Sequence, residues 1–189
     1  MIPLAFINYG GIQAIQTLWA GPWMLNISGY TPLQSATGLF WINITMLISY
    51  FIWGYILPKI SDYGINSIKL IKLGLPISYF SLFLIIYFGN NAGAFLFTIY
   101  IMTSIVISLT QPAIALNFSK NLAGKSLTSF NVFLFSGTFF VQWGIGLVID
   151  LCNNKGFDIL SSYRISFSLF LILCVLSYTF FIYLNKNEN

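Results

Sequence analysis

Residues 1–58 read MIPLAFINYGGIQAIQTLWAGPWMLNISGYTPLQSATGLFWINITMLISYFIWGYILP and hold no Asp, Glu, Lys or Arg; the first charge is Lys59. One bilayer crossing takes about 20 predominantly apolar residues, so this stretch is long enough to cross twice. Three more charge-free runs follow: Leu73–Ser119, Ser126–Ile149 and Ile165–Asn185. The first of these again has room for two crossings, and the others for one each. The reading is an all-α integral membrane protein with six transmembrane helices.

The two long runs must turn inside the sequence, and each has a signal for it. Residues 26–34 (NISGYTPLQ) contain Gly29 and Pro32, and residues 89–93 (GNNAG) form a tight polar turn. Spans are therefore expected near 3–26, 34–57, 67–88, 93–116, 127–150 and 163–184, with 1–189 a single six-helix membrane domain.

Composition agrees. The 189 residues are 58% hydrophobic and 6% charged, against about 25% charged in a soluble domain. The bilayer is the expected solvent, and a net charge of +4 on such a chain gives no reason to expect a nucleic acid partner. Lys59, Lys69, Lys72, Lys120, Lys125 and Lys186 fall on one side of the six-span arrangement; Lys155 and Arg164 fall on the other. Short Lys/Arg-rich loops stay in the cytoplasm. Both termini and the loops at 58–66 and 119–126 are thus expected there, in a cell (inner) membrane. The N-terminus lacks the basic region of a cleavable signal peptide. Cys152 sits at the outer interface and Cys174 about 15 Å deeper at helical rise, so no disulfide is expected.

Amide side chains are placed unevenly. The first span has Asn8, Gln13 and Gln16, the second Asn43, the fourth Gln111 with Asn117 at its end, and the fifth Asn131 and Gln142; the third and sixth have only small hydroxyls such as Ser78, Ser81, Ser168 and Ser177. Polar groups in lipid are expensive and turn toward a bundle interior or a wet cavity. Spans one, two, four and five are expected to line an interior, with three and six at the lipid-facing periphery. Helical spacing places Asn131, Phe135, Thr138 and Gln142 on one face. It does the same for Tyr100, Ser104, Ile107 and Gln111, and for Asn43, Leu47, Tyr50 and Gly54. The polarity pattern repeats with a shift of three spans, as an inverted 3+3 repeat would. Gly21-Pro22 and Gln111-Pro112 interrupt the first and fourth spans, and Gly137, Gly144 and Gly146 would admit a close neighbour to the fifth.

Several stretches resemble a known family. Tyr9–Trp23 (YGGIQAIQTLWAGPW) resembles the seventh helix of a group of bacterial major facilitator superfamily transporters. Leu39–Gly64 is similar to that group's eighth helix and the loop after it, and Leu122–Leu151 to its eleventh helix with the loop before it. Tyr63 stands where the superfamily's loop signature usually has a basic residue. The resemblance implies the C-terminal six-helix half of a secondary transporter whose complete form has twelve helices and binds its solute between two halves. With Met1 at the start of a helix, a truncated product or a separately encoded first half is the expected explanation. The partner would then be an N-terminal half or a second copy. By the same analogy Lys59 and Asp62 are candidates for gating at the cytoplasmic loop.

Candidate cavity residues for a small-molecule solute are Gln13, Gln16, Trp19, Asn43, Gln111, Asn131 and Gln142. Each has a plainer reading: the amides as interhelical hydrogen bonds, Trp19 as an interface anchor, Gln111-Pro112 as a kink. Trp53 and Trp143 read as packing or belt residues. The acids Asp62, Asp150, Asp158 and Glu188 all lie at or beyond span ends, and the chain has no His. No general acid–base pair and no metal-ligand spacing follows, so neither an enzyme, a metal nor a cofactor is expected. A proton-coupling carboxylate would have to lie in the other half, Asp150 being the weak exception. The expected function is transport of a small solute, with neutral amides and aromatics contacting its polar, uncharged groups; the alternative is a six-span membrane scaffold or assembly protein without transport activity.

Overall fold

The computed structural model describes residues 1–185; Lys186 and Glu188 lie outside the described residues, as does the side chain of Lys120. All regular structure among the described residues is helical. The chain begins with α1 (Ile2–Ala14), which runs through a π-helical turn (Ile15–Trp19) into α2 (Ala20–Asn26). Then come α3 (Pro32–Ser61) and α4 (Ser67–Phe88), the latter followed by a 3₁₀ turn (Gly89–Asn91). α5 (Ala94–Ser104) passes through a second 3₁₀ turn (Ile105–Leu109) into α6 (Thr110–Leu116). α7 (Lys120–Asn154) and α8 (Ile159–Leu184) complete it. With each interrupted segment taken as one rod, the described residues form six, first to sixth in chain order.

Local chemistry accounts for the starts. Thr31 and Gln34 form a reciprocal capping box on α3: the Thr31 hydroxyl accepts from the Gln34 amide N–H at 3.3 Å, and the Gln34 side chain accepts from the Thr31 N–H at 2.9 Å. Asn66 caps α4 by accepting from the Lys69 N–H at 2.9 Å. Asp158 caps α8 by accepting from the Ser161 N–H at 3.1 Å, and its hydrogen bonds with Ser161 hold the carboxyl below its ordinary pKa. α4 stops at Gly89, whose φ of 53° suits a residue without a Cβ. There the Arg164 guanidinium donates to the Ile86 and Tyr87 carbonyls, each at 2.9 Å, and so caps the helix end from α8.

Among the described residues, five helical stretches are long and apolar enough to cross a membrane: Pro32–Ser61, Ser67–Asn91, Ala94–Leu116, Asn121–Asn154 and Ile159–Leu184. This is the make-up of a multi-pass membrane protein. The first rod is cut into shorter pieces by its π turn.

The most extensive interface joins α1 to α7. Glycine makes it possible: a Cβ built on Gly10 would lie 2.5 Å from the Gly137 carbonyl carbon, and one on Gly137 would lie 2.2 Å from the Phe6 carbonyl oxygen. Backbone therefore touches backbone. Of the other glycines expected to serve this purpose, Gly146 faces the Trp19 ring, whereas Gly144 faces open space. The core centres on Trp23, fully buried against Phe97, Tyr163 and Phe167 at ring separations of 4.9 to 5.9 Å.

The third and sixth rods carry more than an apolar outer face. α4 and α8 do expose outer faces, through residues such as Phe80 and Phe180, but their inner faces carry polar structure. Asn8 is buried between them: its Nδ2 donates to Ser177 Oγ at 3.1 Å and to the Leu4 carbonyl at 2.9 Å, and Tyr79 O–H donates to its Oδ1 at 2.9 Å. The hydroxyls on these rods were the partners that Asn8 required. The least covered rod is α3, and α7 also leaves a long face open. α3 buries only Ser35, Gly38, Ile42, Met46 and Ser49, a narrow stripe at helical spacing, and leaves Phe40, Trp41, Phe51 and Tyr55 exposed. α7 similarly exposes Phe133, Phe135, Phe139 and Trp143.

Candidate functional site

A cavity of about 610 Å³ opens between α1, α3 and the fourth rod. From α1 it takes Tyr9 and Gln13, one turn apart, with the Gln13 amide donating to the Tyr9 hydroxyl at 3.3 Å. From α3 it takes Met46, Tyr50, Trp53 and Leu57, whose spacing of four, three and four makes one helix face. From the fourth rod it takes Ser108 and Leu109 of the 3₁₀ turn and Gln111 and Pro112 of α6. Among the described residues its lining contains no charged residue.

The position of Gln111 corrects the expected stripe on that rod. A 3₁₀ helix advances about 120° per residue where an α-helix advances about 100°. Over the five residues Ile105–Leu109 the phase moves on by roughly 100°. Tyr100 and Ser104 are consequently buried in the bundle core, whereas Gln111 turns to the cavity. The Ser104 hydroxyl is left buried with no hydrogen-bond partner among the described residues, as is the Trp23 indole N–H.

The other candidates separate from this cavity. Gln16 donates to the Asn43 side chain, and Asn43 also donates to the Leu39 carbonyl at 2.7 Å. Trp19 donates its indole N–H to the Gln142 carbonyl at 3.2 Å and packs edge-on to Tyr163 at 6.0 Å. The Gln142 amide donates to the Thr17 hydroxyl at 3.4 Å, and Thr17 donates to the Gln13 carbonyl at 2.6 Å. The π turn thus carries a polar clasp that reaches α3 on one side and α7 on the other. Asn131 is half-buried on α7, outside the Gln13–Gln111 cavity. Lys59 is exposed, with its ammonium 3.7 Å over the Tyr55 ring, and Asp62 is the C-cap residue of α3.

Of the expected cavity residues Gln13 and Gln111 line this space, and so does Trp53, expected as a packing or belt residue. Tyr9 and Ser108 went unmarked. The available signal was the aromatic spacing: Tyr9 lies four residues before Gln13, and Tyr50 and Trp53 lie three apart on one helix face. Comparison with known proteins adds no family: no family model, no curated protein and no solved structure matches this chain.

Proposed function

We propose that the chain is a six-span membrane domain of the major facilitator type that moves a small solute across the bilayer together with a second six-span unit. The observation that carries this reading is a pair of matching helix defects. The first rod has its π turn at Ile15–Trp19 and the fourth its 3₁₀ turn at Ile105–Leu109. Each turn is followed, three residues after its end, by a proline, Pro22 and Pro112. Interrupted segments at corresponding positions of two repeats point to a transporter's binding site, and the cavity draws on both rods.

The packing supports an inverted 3+3 repeat. The first rod packs on the fifth and the fourth on the second; the first meets the sixth and the fourth meets the third. Each of these pairs exchanges with its counterpart under a shift of three. The exception is the extensive fifth–sixth contact, which has no comparable partner between second and third. The uncovered faces of α3 and α7 support a second unit, either another chain or a second copy. On this reading the termini are cytoplasmic and the cavity opens toward the end of the bundle that bears Lys59.

A second reading, a scaffold, is favoured by the Gln16–Asn43 and Gln142–Thr17 bonds, which employ three candidate amides as interhelical connections. Purification from its own membrane in mild detergent separates the two. Transport predicts a co-purifying six-span unit and solute-dependent thermal stabilisation. A lone monomer that no solute stabilises contradicts it.

A further inference from the structure

We infer that the cavity at Gln13 and Gln111 takes an uncharged, polyhydroxylated ring compound of monosaccharide size; this rests on the reading of that cavity as a solute site. Glutamine amides donate and accept, and tyrosine and serine hydroxyls do both as well. Gln13 and Gln111 face the cavity from α1 and α6, with the Tyr9, Tyr50 and Ser108 hydroxyls around them. Such a lining is complementary to groups that also do both, and hydroxyls do. A carboxylate only accepts and an ammonium only donates, so either would leave part of the lining unmatched.

Charge points the same way. An ion at membrane depth requires an opposite charge or a dense shell of dipoles, and among the described residues the lining holds no Asp, Glu, Lys or Arg. Lys59 follows Trp53 by six residues on α3, about 9 Å along the axis, and its ammonium lies over Tyr55. The rings complete the match. Tyr9, Tyr50 and Trp53 bring three aromatic rings from two helices to one cavity, and an aromatic face accepts the C–H face of a saturated ring while leaving its hydroxyls free to bond at the edge. A purely apolar solute would waste the amides. The groove lined by Phe6, Phe140, Leu169 and Phe170 elsewhere on the bundle, by contrast, is nearly all apolar.

The test uses the full chain in nanodiscs together with the six-span unit that co-purifies with it, with melting temperature and tryptophan fluorescence as readouts, and probes of one ring size that differ in charge. Methyl glucoside, glucose and inositol are titrated well past the millimolar range beside glucuronate and glucosamine. A wider set of amino acids, organic acids, quaternary amines and nucleosides is run in parallel. The neutral sugars are expected to raise the melting temperature and to change fluorescence in wild type but not in Trp53→Phe. Glucuronate and glucosamine are expected to bind at least tenfold more weakly. Gln13→Ala and Gln111→Ala are each expected to weaken the sugars roughly two- to tenfold, as loss of one hydrogen bond does. Tighter binding of a charged probe, still lost in Gln111→Ala, overturns the solute class and leaves the cavity as a solute site. If no probe of any class binds, the solute-site reading falls and this inference falls with it.

Discussion

Replacing Gly137 with alanine puts a methyl carbon 2.2 Å from the Phe6 carbonyl oxygen, where ordinary contact begins at 3.4 Å. No side chain can swing aside, because the obstacle is the backbone of α1. The two helices must part by about 1.2 Å along the most extensive interface of the bundle. Overpacking of this kind costs about 1–3 kcal/mol. Alanine's better helix propensity offsets up to about 1 kcal/mol of that. The separation also reaches the polar clasp: the Gln142–Thr17 bond is already 3.4 Å long and does not survive a further ångström. Thermal unfolding in detergent should show Gly137→Ala clearly less stable than wild type. Gly10→Ala, which meets the same contact from the other side at 2.5 Å, should fall with it, and the double variant should lose less than the sum because the interface is already open. Gly144→Ala meets no atom within 4 Å and should be neutral or slightly stabilised. Equal stability of Gly137→Ala and Gly144→Ala would refute the backbone-to-backbone contact.

Other substitutions probe separate parts of the account. Asn8→Ala leaves the Tyr79 and Ser177 hydroxyls without their partner inside the bundle and should cost about 1–3 kcal/mol, whereas Asn131→Ala should stay within about 0.5 kcal/mol; chemical denaturation in mixed micelles compares them. Thr31→Ala removes half of the capping box and should cost about 1 kcal/mol, with faster amide exchange confined to the first turn of α3. The Asp158 carboxyl has a lowered pKa in the folded chain, so its contribution to the start of α8 is full above its unfolded value near pH 4 and declines as pH falls through the folded one. Exchange at the Ser161 amide should accelerate over that acid window in wild type and be independent of pH, beyond the intrinsic trend, in Asp158→Ala.

What could be read in advance divides along a physical line. Charge-free runs delimit helices because lysines and polar turns cannot lie deep in hydrocarbon, and the helices found at Pro32–Ser61, Ser67–Phe88 and Ile159–Leu184 sit over the expected 34–57, 67–88 and 163–184. α3 runs past its expected end because Pro58 lies in its last turn without terminating it. Side-chain direction was less accessible. The spacing rule presumes an uninterrupted 3.6-residue period, and the turn at Ile105–Leu109 changes the phase between Ser104 and Gln111. Asn8 was legible as a buried amide, but its partners Tyr79 and Ser177 stand on rods that carry no amide of their own, so counting amides concealed the contact. Gln16, Asn43 and Gln142 have the chemistry of solute contacts and are engaged with other helices; composition alone does not separate these uses.

The central claim is that water and solute enter the space between α1, α3 and the fourth rod. Single cysteines at Trp53, Gln111, Ser78 and Ser177, in a chain carrying Cys152→Ser and Cys174→Ser, can be exposed to a charged thiol reagent in sealed and in opened membrane vesicles. Trp53→Cys and Gln111→Cys should label, while Ser78→Cys and Ser177→Cys, inside the packed bundle, should not. Labelling at Ser78 and Ser177 with Trp53 and Gln111 protected would contradict the account.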